Sequence, residues 1–511
     1  MSDESYYVTT PIYYVSGDPH VGTAYTTIAA DVAARFQRMK GKDVFFLTGS
    51  DEHGQKINKA AEEKGMTPQE LADSLVPKFK ELWDHLDITH DKFIRTTDPE
   101  HEKTVQAFFR ELNEQGDIYK GTYEGWYCTH CESYIQSADE DDNLCDDCGR
   151  PGEYLEEDNY FFRLSEYEDY LKQLFEERPE FVQPESRRNE MLSRIEDGLE
   201  DVSVSRSSFD WGVPLPNDEE HVIWVWFDAL INYVSALGYP DNEEAMDQYW
   251  PTVTHLVGKE ILWFHSIVWP AMLKAVGLSP PRRIYAHGWW TMNAEKLSKS
   301  KGNVIYPRDI TEEFGVDPLR YFMLREIPFG QDGDFSNQSF INRYNHDLGN
   351  DFGNLLYRVE SMLESYRDGV IPEPGEPTDV DQELRDAFET ATEKLDRHLE
   401  ELTFHRALES IWEAIQFTNK YAERTEPWEL AKDDDRSERL DTVLYHLLEA
   451  LRISSVLLRP FLPNKTRQLR SELGLDPDAD LSFPDDAEFG QLPHGHSIEK
   501  GDPLFPRYED D

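Results

Sequence analysis

This chain opens with a strand, a helix and a second strand, and that order constrains the fold more than any other feature. Tyr6 to Val15 is β-branched and aromatic. After a Gly-Asp-Pro-His turn, Ala24 to Lys40 is helical in period, with Ile28, Val32 and Phe36 at i, i+4 and i+8 on one face. Asp43 to Thr48 is a short apolar run ending at Gly49, the pattern of a strand buried inside a parallel sheet. Two such strands joined by a helix are the unit of doubly wound, nucleotide-binding sheets. Strand character lapses from about Tyr119 to Pro151, where a turn-rich acidic segment carries all four cysteines. Helical patterns run from about Ser165 to Asp197. Strands are expected again at Val222 to Trp226 and Ile284 to His287, with an apolar helix over Ile261 to Val276 between them. Beyond about Asn342 the period is helical through about Leu473, broken at Pro372 to Pro377, and from about Pro477 the chain reads as an extended strap. The expected fold class is α/β: a Rossmann-like doubly wound parallel sheet, interrupted by an insertion and followed by an α-helical bundle.

Three stretches carry chemistry. At the first strand–helix junction stands Pro19-His20-Val21-Gly22-Thr23. Gly22 admits close approach to the backbone, the helix N-terminus favours phosphate, and His20 can donate to a phosphate oxygen. Alone, His20 reads equally as a turn residue. The second stretch is Lys296-Leu297-Ser298-Lys299-Ser300, followed by Lys301-Gly302-Asn303. Three lysines so close together stand out in an acidic chain and can clamp triphosphate charge; the plain alternative is a solvated basic loop. The third is Cys128-x-x-Cys131 and Cys145-x-x-Cys148, which use every cysteine in the chain. Two such knuckles at this spacing suit one tetrahedral four-thiolate structural metal, with disulfide pairing as the alternative.

A His-x-Gly turn after the first strand and a lysine–serine loop after the last resemble the paired signatures of class I aminoacyl-tRNA synthetases. Within that class the chain resembles the methionyl-tRNA synthetase family over nearly its whole length. The carrying stretches are TTPIYYVSGDPHVGTAYT, FFLTGSDEHGQKI, YEGWYCTHC, VWFDALINY, VGKEILWFHSIVWPAML and EKLSKSKGNVI. The resemblance implies adenylation of L-methionine with ATP and Mg2+, then transfer to initiator and elongator tRNA(Met). It implies that His20, Lys296 and Lys299 serve catalysis, and that His20, Gly22, Thr23, His287, Gly288 and Lys299 line the ATP site. It makes the insertion zinc-bearing, with Cys128, Cys131, Cys145 and Cys148 as ligands. It assigns the methionine pocket to Ile12, Tyr14, Asp51, Trp226, Ala229, Leu230, Tyr233, Phe264, His265 and Trp269, with Arg206 helping to order it. Asp51, at a strand's carboxyl end, would hold the substrate ammonium, and aromatic walls suit a polarisable thioether. It assigns anticodon reading to Asn354, Arg358, Pro427 and Trp428, with tryptophan as a stacking platform. Without it, the aromatic set reads as core, Asp51 as a helix cap, and Asn354 and Arg358 as an i,i+4 surface pair. Two positions depart from the family: Thr23 replaces its second signature histidine, and Leu230 replaces a proline.

The resulting segments are residues 1–115, first half of the catalytic domain; 116–215, the connective insertion; 216–340, the second half with the lysine loop; 341–475, the anticodon-binding helices; and 476–511, the strap. Alternatives are a paralogue that adenylates an amino acid for a small acceptor, or a non-catalytic tRNA binder. Anticodon residues argue against the first and phosphate lysines against the second.

Charge enters here. Acidic residues number 102 against 51 basic ones, a net charge of −51. That balance excludes a generic basic nucleic-acid binder. The acids are spread through amphipathic segments rather than gathered in tails, so a salt-adapted surface is favoured over an acidic tail, its self-repulsion screened at high ionic strength. The acidic start lacks a secretory pattern, and no run of about 18 apolar residues occurs. A cytoplasmic protein with no membrane and no DNA partner is expected. No set of short strands follows Leu473, so the expectation is a monomer.

Overall fold

The computed structural model describes residues 4–129, 133–135, 143–145, 149–292, 295–296 and 304–509. By packing the chain forms two compact units, Met1–Pro19 with Asp43–Gly288, and His20–Lys42 with Trp289–Asp511. Residues 289–340, read in the sequence as part of the catalytic domain, thus pack with the helical half.

The first unit is built on a six-stranded sheet of β1 (Ser5–Tyr14), β2 (Asp43–Asp51), β3 (Lys92–Arg95), β4 (Val182–Gln183), β5 (Thr254–Gly258) and β6 (Arg283–His287). Their order is β3-β2-β1-β5-β6-β4 and every pair is parallel. Parallel strands are covered on both faces, hence the continuous apolar runs; Val8, Phe46, Leu256 and Ile284 are all buried. The chain builds outward from β1 through β2 to β3, crosses to β4 at the opposite edge, and then places β5 on β1's other side. That reversal is a topological switch point, where open α/β sheets bind ligands beyond the strand carboxyl ends.

The helix joining β1 to β2 is α1 (Val21–Met39), and it belongs to the second unit. Other helices of the first unit include α2 (Pro99–Gln115), α3 (Val225–Ser235) and α4 (Trp269–Ala275). Two expectations change here. The helical stretch after Ser165 is two helices, Glu168–Glu177 and Glu185–Glu196, with β4 between them at the sheet edge. Pro179 and Pro184 bracket β4 and stop a continuous helix. The strand expected over Val222 to Trp226 ends at Ile223, and Trp226 lies on α3. Every residue of α3 is buried, so no polar face exposes its helical period. The insertion is an antiparallel hairpin of Ile118–Cys128 and Glu153–Phe162, with the short strand Ser133–Ile135 beside it.

The second unit holds α5 (Val316–Arg325), α6 (Asn354–Arg367), α7 (Asp379–Glu400), α8 (Phe404–Thr425), α9 (Ser437–Leu457) and α10 (Pro463–Glu472). Arg320 of α5 ties α1 to this bundle: it donates to Asp31 at 2.6 Å and to the carbonyls of Pro460 and Phe461 at 2.9 and 3.1 Å. The final segment is strapped on by Glu449 of α9, whose carboxylate accepts from the backbone N–H groups of Gly490, Gln491 and Leu492 at 2.6–3.0 Å. Among the described residues no helix is long and apolar enough to cross a membrane.

Candidate active site

The carboxyl edge of the sheet gathers the expected amino-acid site. In register, Tyr14 lies opposite Asp51, and Ile12 opposite Gly49. Gly49 is glycine because a Cβ there would run into the Ile94 carbonyl and lie 3.0 Å from Ile12 Cγ2. Asp51 is 4 % exposed at the last position of β2. Ile12 and Tyr14 pack against the core cluster that contains Trp226, Leu230, Tyr233, Phe264 and Trp269, and Ala229 is buried beside them in sequence on α3. The Lys56 amine lies 4.3 Å from the Tyr14 ring centroid.

The aromatic set is ordered rather than merely apolar. Trp226 and Phe264 stack at 3.9 Å and 10°. The Tyr233 hydroxyl lies 2.7 Å from His265 Nε2, and His265 Nδ1 lies 2.9 Å from the Ile261 carbonyl. A carbonyl only accepts, so Nδ1 carries the proton and Nε2 accepts from tyrosine. Burial pushes the His265 pKa down to about 4, against the pull of that carbonyl, and the ring is neutral at physiological pH. The expected helix over Ile261 to Val276 contains a π turn, Phe264–Val268, ahead of α4. Pro270 has no N–H to offer Ser266, so the regular ladder is interrupted there. The wider turn carries both Phe264 and His265.

Some residues expected at the phosphates belong to the first unit and some to the second. In the first, His287 ends β6 and Gly288 follows, both buried. His287 Nδ1–H donates to the Gly288 carbonyl at 2.7 Å, which leaves Nε2 as the acceptor of the neutral ring. In the second, His20 is the N-cap of α1, with Nδ1 accepting from Gly22 N–H at 3.1 Å. The proton of the neutral ring is therefore on Nε2, where it can be donated outward. Thr23 is buried in the first turn of α1. Lys296 ends the short strand Glu295–Lys296, paired with Trp290–Met292; Lys299 lies outside the described residues.

Cys128 and Cys145 are both buried and share a small cluster with Ile135. Gly149 N–H donates to the Cys145 carbonyl at 2.7 Å and turns the chain with φ +66°. Cys131 and Cys148 lie outside the described residues, and among the described ones no three metal-binding side chains converge. Arg206 lies 4.1 Å from the Tyr127 ring and 3.8 Å from Glu157. Both neighbours belong to the insertion hairpin. In the second unit Asn354 is exposed at the start of α6, Arg358 is half-buried one turn on, and Pro427 and half-buried Trp428 open a short helix after Glu426.

One group of buried polar residues has no counterpart in the sequence reading. Asp228 of α3 accepts from His53 Nδ1 and from His101 Nε2, both at 2.7 Å. Glu52 accepts from Arg95 at 2.7 and 2.9 Å. The available signal was Asp51-Glu52-His53, three ionisable residues in a row at the end of a buried strand.

Two family models match the chain. The model for class I tRNA synthetases of the methionine type matches residues 6–148 and 135–360, and that for the anticodon-binding domain of methionyl tRNA ligase matches 371–511. A methionine–tRNA ligase of Caldanaerobacter subterraneus subsp. tengcongensis is 51% identical over 99% of this chain and 79% of its own length. One of Clostridium tetani is 50% identical over 100% of this chain and 79% of its own. The structure of Mycobacterium tuberculosis methionyl-tRNA synthetase in complex with methionyl-adenylate superposes with a TM-score of 0.95 at 41% identity, over 99% of this chain and 100% of that one.

Proposed function

Because this chain belongs to the methionyl-tRNA synthetase family of class I, we propose the following division of labour among its residues for the family's reaction, ligation of methionine to tRNA. The methionine carboxylate attacks the α-phosphorus of ATP, the bond to the pyrophosphate leaving group breaks, and methionyl-adenylate forms. The terminal ribose hydroxyl of tRNA then attacks the adenylate carbonyl and AMP leaves. No covalent enzyme intermediate is needed, so catalysis is positioning and stabilisation of developing phosphate charge.

Asp51 holds the substrate ammonium. Ile12, Tyr14, Trp226, Ala229, Leu230, Tyr233, Phe264, His265 and Trp269 enclose the thioether. The observation that carries this reading is the convergence of a buried carboxylate and an ordered aromatic set at the switch point of the sheet. A neutral His265, held by Tyr233 and Ile261, offers the sulfur a polarisable wall without a charge. His20 donates Nε2–H to phosphate, Lys299 stabilises its charge and Lys296 supports the lysine loop. Gly22, Thr23, His287 and Gly288 line the nucleotide. Mg2+ enters with ATP and offsets triphosphate charge.

Asn354, Arg358, Pro427 and Trp428 read the anticodon of initiator and elongator tRNA(Met). Cys128, Cys131, Cys145 and Cys148 hold one structural zinc; the buried pair and the Gly149 turn fit such a knuckle. Metal analysis of the purified chain should return one zinc per chain, and a metal-free folded protein would reject the site. The acidic surface is an adaptation to salt.

ATP–pyrophosphate exchange driven by each amino acid in turn tests the substrate. Exchange with leucine or isoleucine but not methionine would overturn it. Lys299→Ala should cut the adenylation rate far more than methionine binding; unchanged exchange would reject its role.

A further inference from the structure

We propose that His53 is a positioning residue for methionine, acting through Asp228: together they hold the segment carrying Asp51 against the helix carrying Trp226, Ala229, Leu230 and Tyr233. This rests on the reading of Asp51 as the ammonium ligand and of the aromatic set as the thioether pocket.

Asp228 is fully buried on α3, two residues after Trp226 and one before Ala229. A carboxylate in that setting costs several kcal/mol unless it is paired and hydrogen-bonded, and an apolar residue of similar size would stabilise the helix at least as well. Here both oxygens are taken. Oδ2 accepts from His53 Nδ1 at 2.7 Å, and Oδ1 accepts from His101 Nε2 at 2.7 Å. The far side of His101 is fixed too, with Nδ1 2.7 Å from the Ser235 hydroxyl at the end of the same helix. His53 stands two residues after Asp51. On the β3 side its short segment is held by Thr96, Thr97 and Arg95 through Glu52, and Trp211 holds it too, its indole N–H donating to the Glu52 carbonyl at 2.6 Å and its ring meeting His53 edge-on at 5.3 Å. The Asp228–His53 pair is thus a side-chain tie between the carboxyl end of β2 and the helix that supplies four of the proposed pocket residues.

Charge supports the geometry. The groups facing His53 are Asp228, Glu102 at 3.9 Å from Nε2, and Glu52, which Arg95 neutralises. Burial pushes the His53 pKa down, but Asp228 foremost, with Glu102 and Glu52, carries it above its ordinary value. Asp228 is held below the usual carboxylate range: burial opposes this, and His53 and His101 outweigh it. Both shifts favour the charged form of the pair. With a raised folded-state pKa on His53, it is complete below the ordinary histidine range and lost as pH rises through the raised value.

The test is methionine-dependent ATP–pyrophosphate exchange on the full chain. His53→Leu should raise the methionine KM about tenfold or more, with the rate at saturating methionine and the ATP KM held within about threefold. His53→Asn, whose amide N–H takes the place of Nδ1–H without its charge, should recover part of that loss, to about the methionine KM that the wild type shows above the His53 titration. In the wild type that KM should climb as pH passes through the His53 titration. Glu102→Gln, a change on a partly exposed side chain, should move the climb to lower pH. An unchanged KM in His53→Leu, equal damage from Leu and Asn, or an unmoved pH profile in Glu102→Gln would each overturn the proposal. If His53→Leu does not fold, His53→Asn and Glu102→Gln decide the question. If Asp51→Asn leaves the methionine KM unchanged, the pocket reading itself fails, which is a separate result.

Discussion

Gly22 is glycine for a reason that lies in its neighbour. A Cβ there would sit 3.0 Å from His20 Cε1 and 3.1 Å from Nδ1, so only glycine lets the imidazole fold back onto the helix start. Gly22→Ala should push the ring off its cap, cost about 0.5–2 kcal/mol of stability, and slow adenylation while methionine binding stays intact. Single-turnover adenylation with a thermal melt checks both halves. A different residue answers to pH. Glu360 is buried on α6, and burial, then the like charge of Glu472, pushes its pKa up to about 7 against the Gly501 N–H and Lys500. An acid raised in the fold keeps its proton where the unfolded chain has lost it. Its contribution is therefore complete below the usual carboxylate range and falls as pH rises through about 7. Glu360→Gln should stabilise the chain by about 1–3 kcal/mol near pH 8 and change little near pH 4. Melts at the two pH values check it, and an equal difference at both would contradict the burial argument. At this scale the sequence was informative where a residue ends a recognisable element. Asp51 ends β2 and His20 opens α1, and both were legible. His53, His101 and Asp228 were not, because what they do depends on meeting one another across positions 53, 101 and 228.

Elements repeat the pattern. β1, β2 and α1 were readable because an apolar period of two or 3.6 survives wherever one face differs from the other. α3 is buried all round, and its first two residues, Val225 and Trp226, fall inside the expected strand. β4 is two residues long and hidden between helices. The π turn at Phe264–Val268 follows from Pro270, a local signal that only the helix context makes meaningful. The strap has its own logic. Glu449 and Arg452 are buried on α9, and Arg452 donates to that carboxylate at 2.8 Å and to the carbonyls of Asp486 and Glu488 at 2.6 Å. Glu449→Leu strands three backbone N–H groups and an arginine, so a loss of about 3–5 kcal/mol is expected. Limited proteolysis should then cut first near Gly490, and a strap as resistant as wild type would show that the clamp is dispensable.

For the whole molecule, the dominant quantity is a net charge of −51. It does not prevent an anionic substrate from binding, since the lysine loop and Arg358 keep positive charge where ATP and tRNA are proposed to dock. Spread over the surface, it repels itself at low ionic strength, and the repulsion fades as the Debye length falls to about 3 Å near 1 M salt. Stability and aminoacylation should therefore both rise with KCl towards molar concentration. Chemical denaturation and charging assays across a KCl series check this. Full folding and activity at low salt, with no gain at high salt, would reject salt adaptation. Counterion release would add little to tRNA affinity in that regime, which shifts recognition towards stacking and base-edge contacts.

The sequence by itself determined the class of fold, the order of its longer elements and the residue types at the positions proposed for phosphate, amino acid and metal. These depend on local periodicity and on spacing along the chain, which survive without coordinates. Only the tertiary structure decided the rest: that β1 and β5 flank a switch point, that His265 is neutral with its proton on Nδ1, that Gly22 serves His20, and that Asp228 joins His53 to His101. Each depends on distances in space that spacing along the chain does not give. Hydrogen-bond direction, desolvation and steric fit act over a few ångströms of space and leave no period behind in the chain.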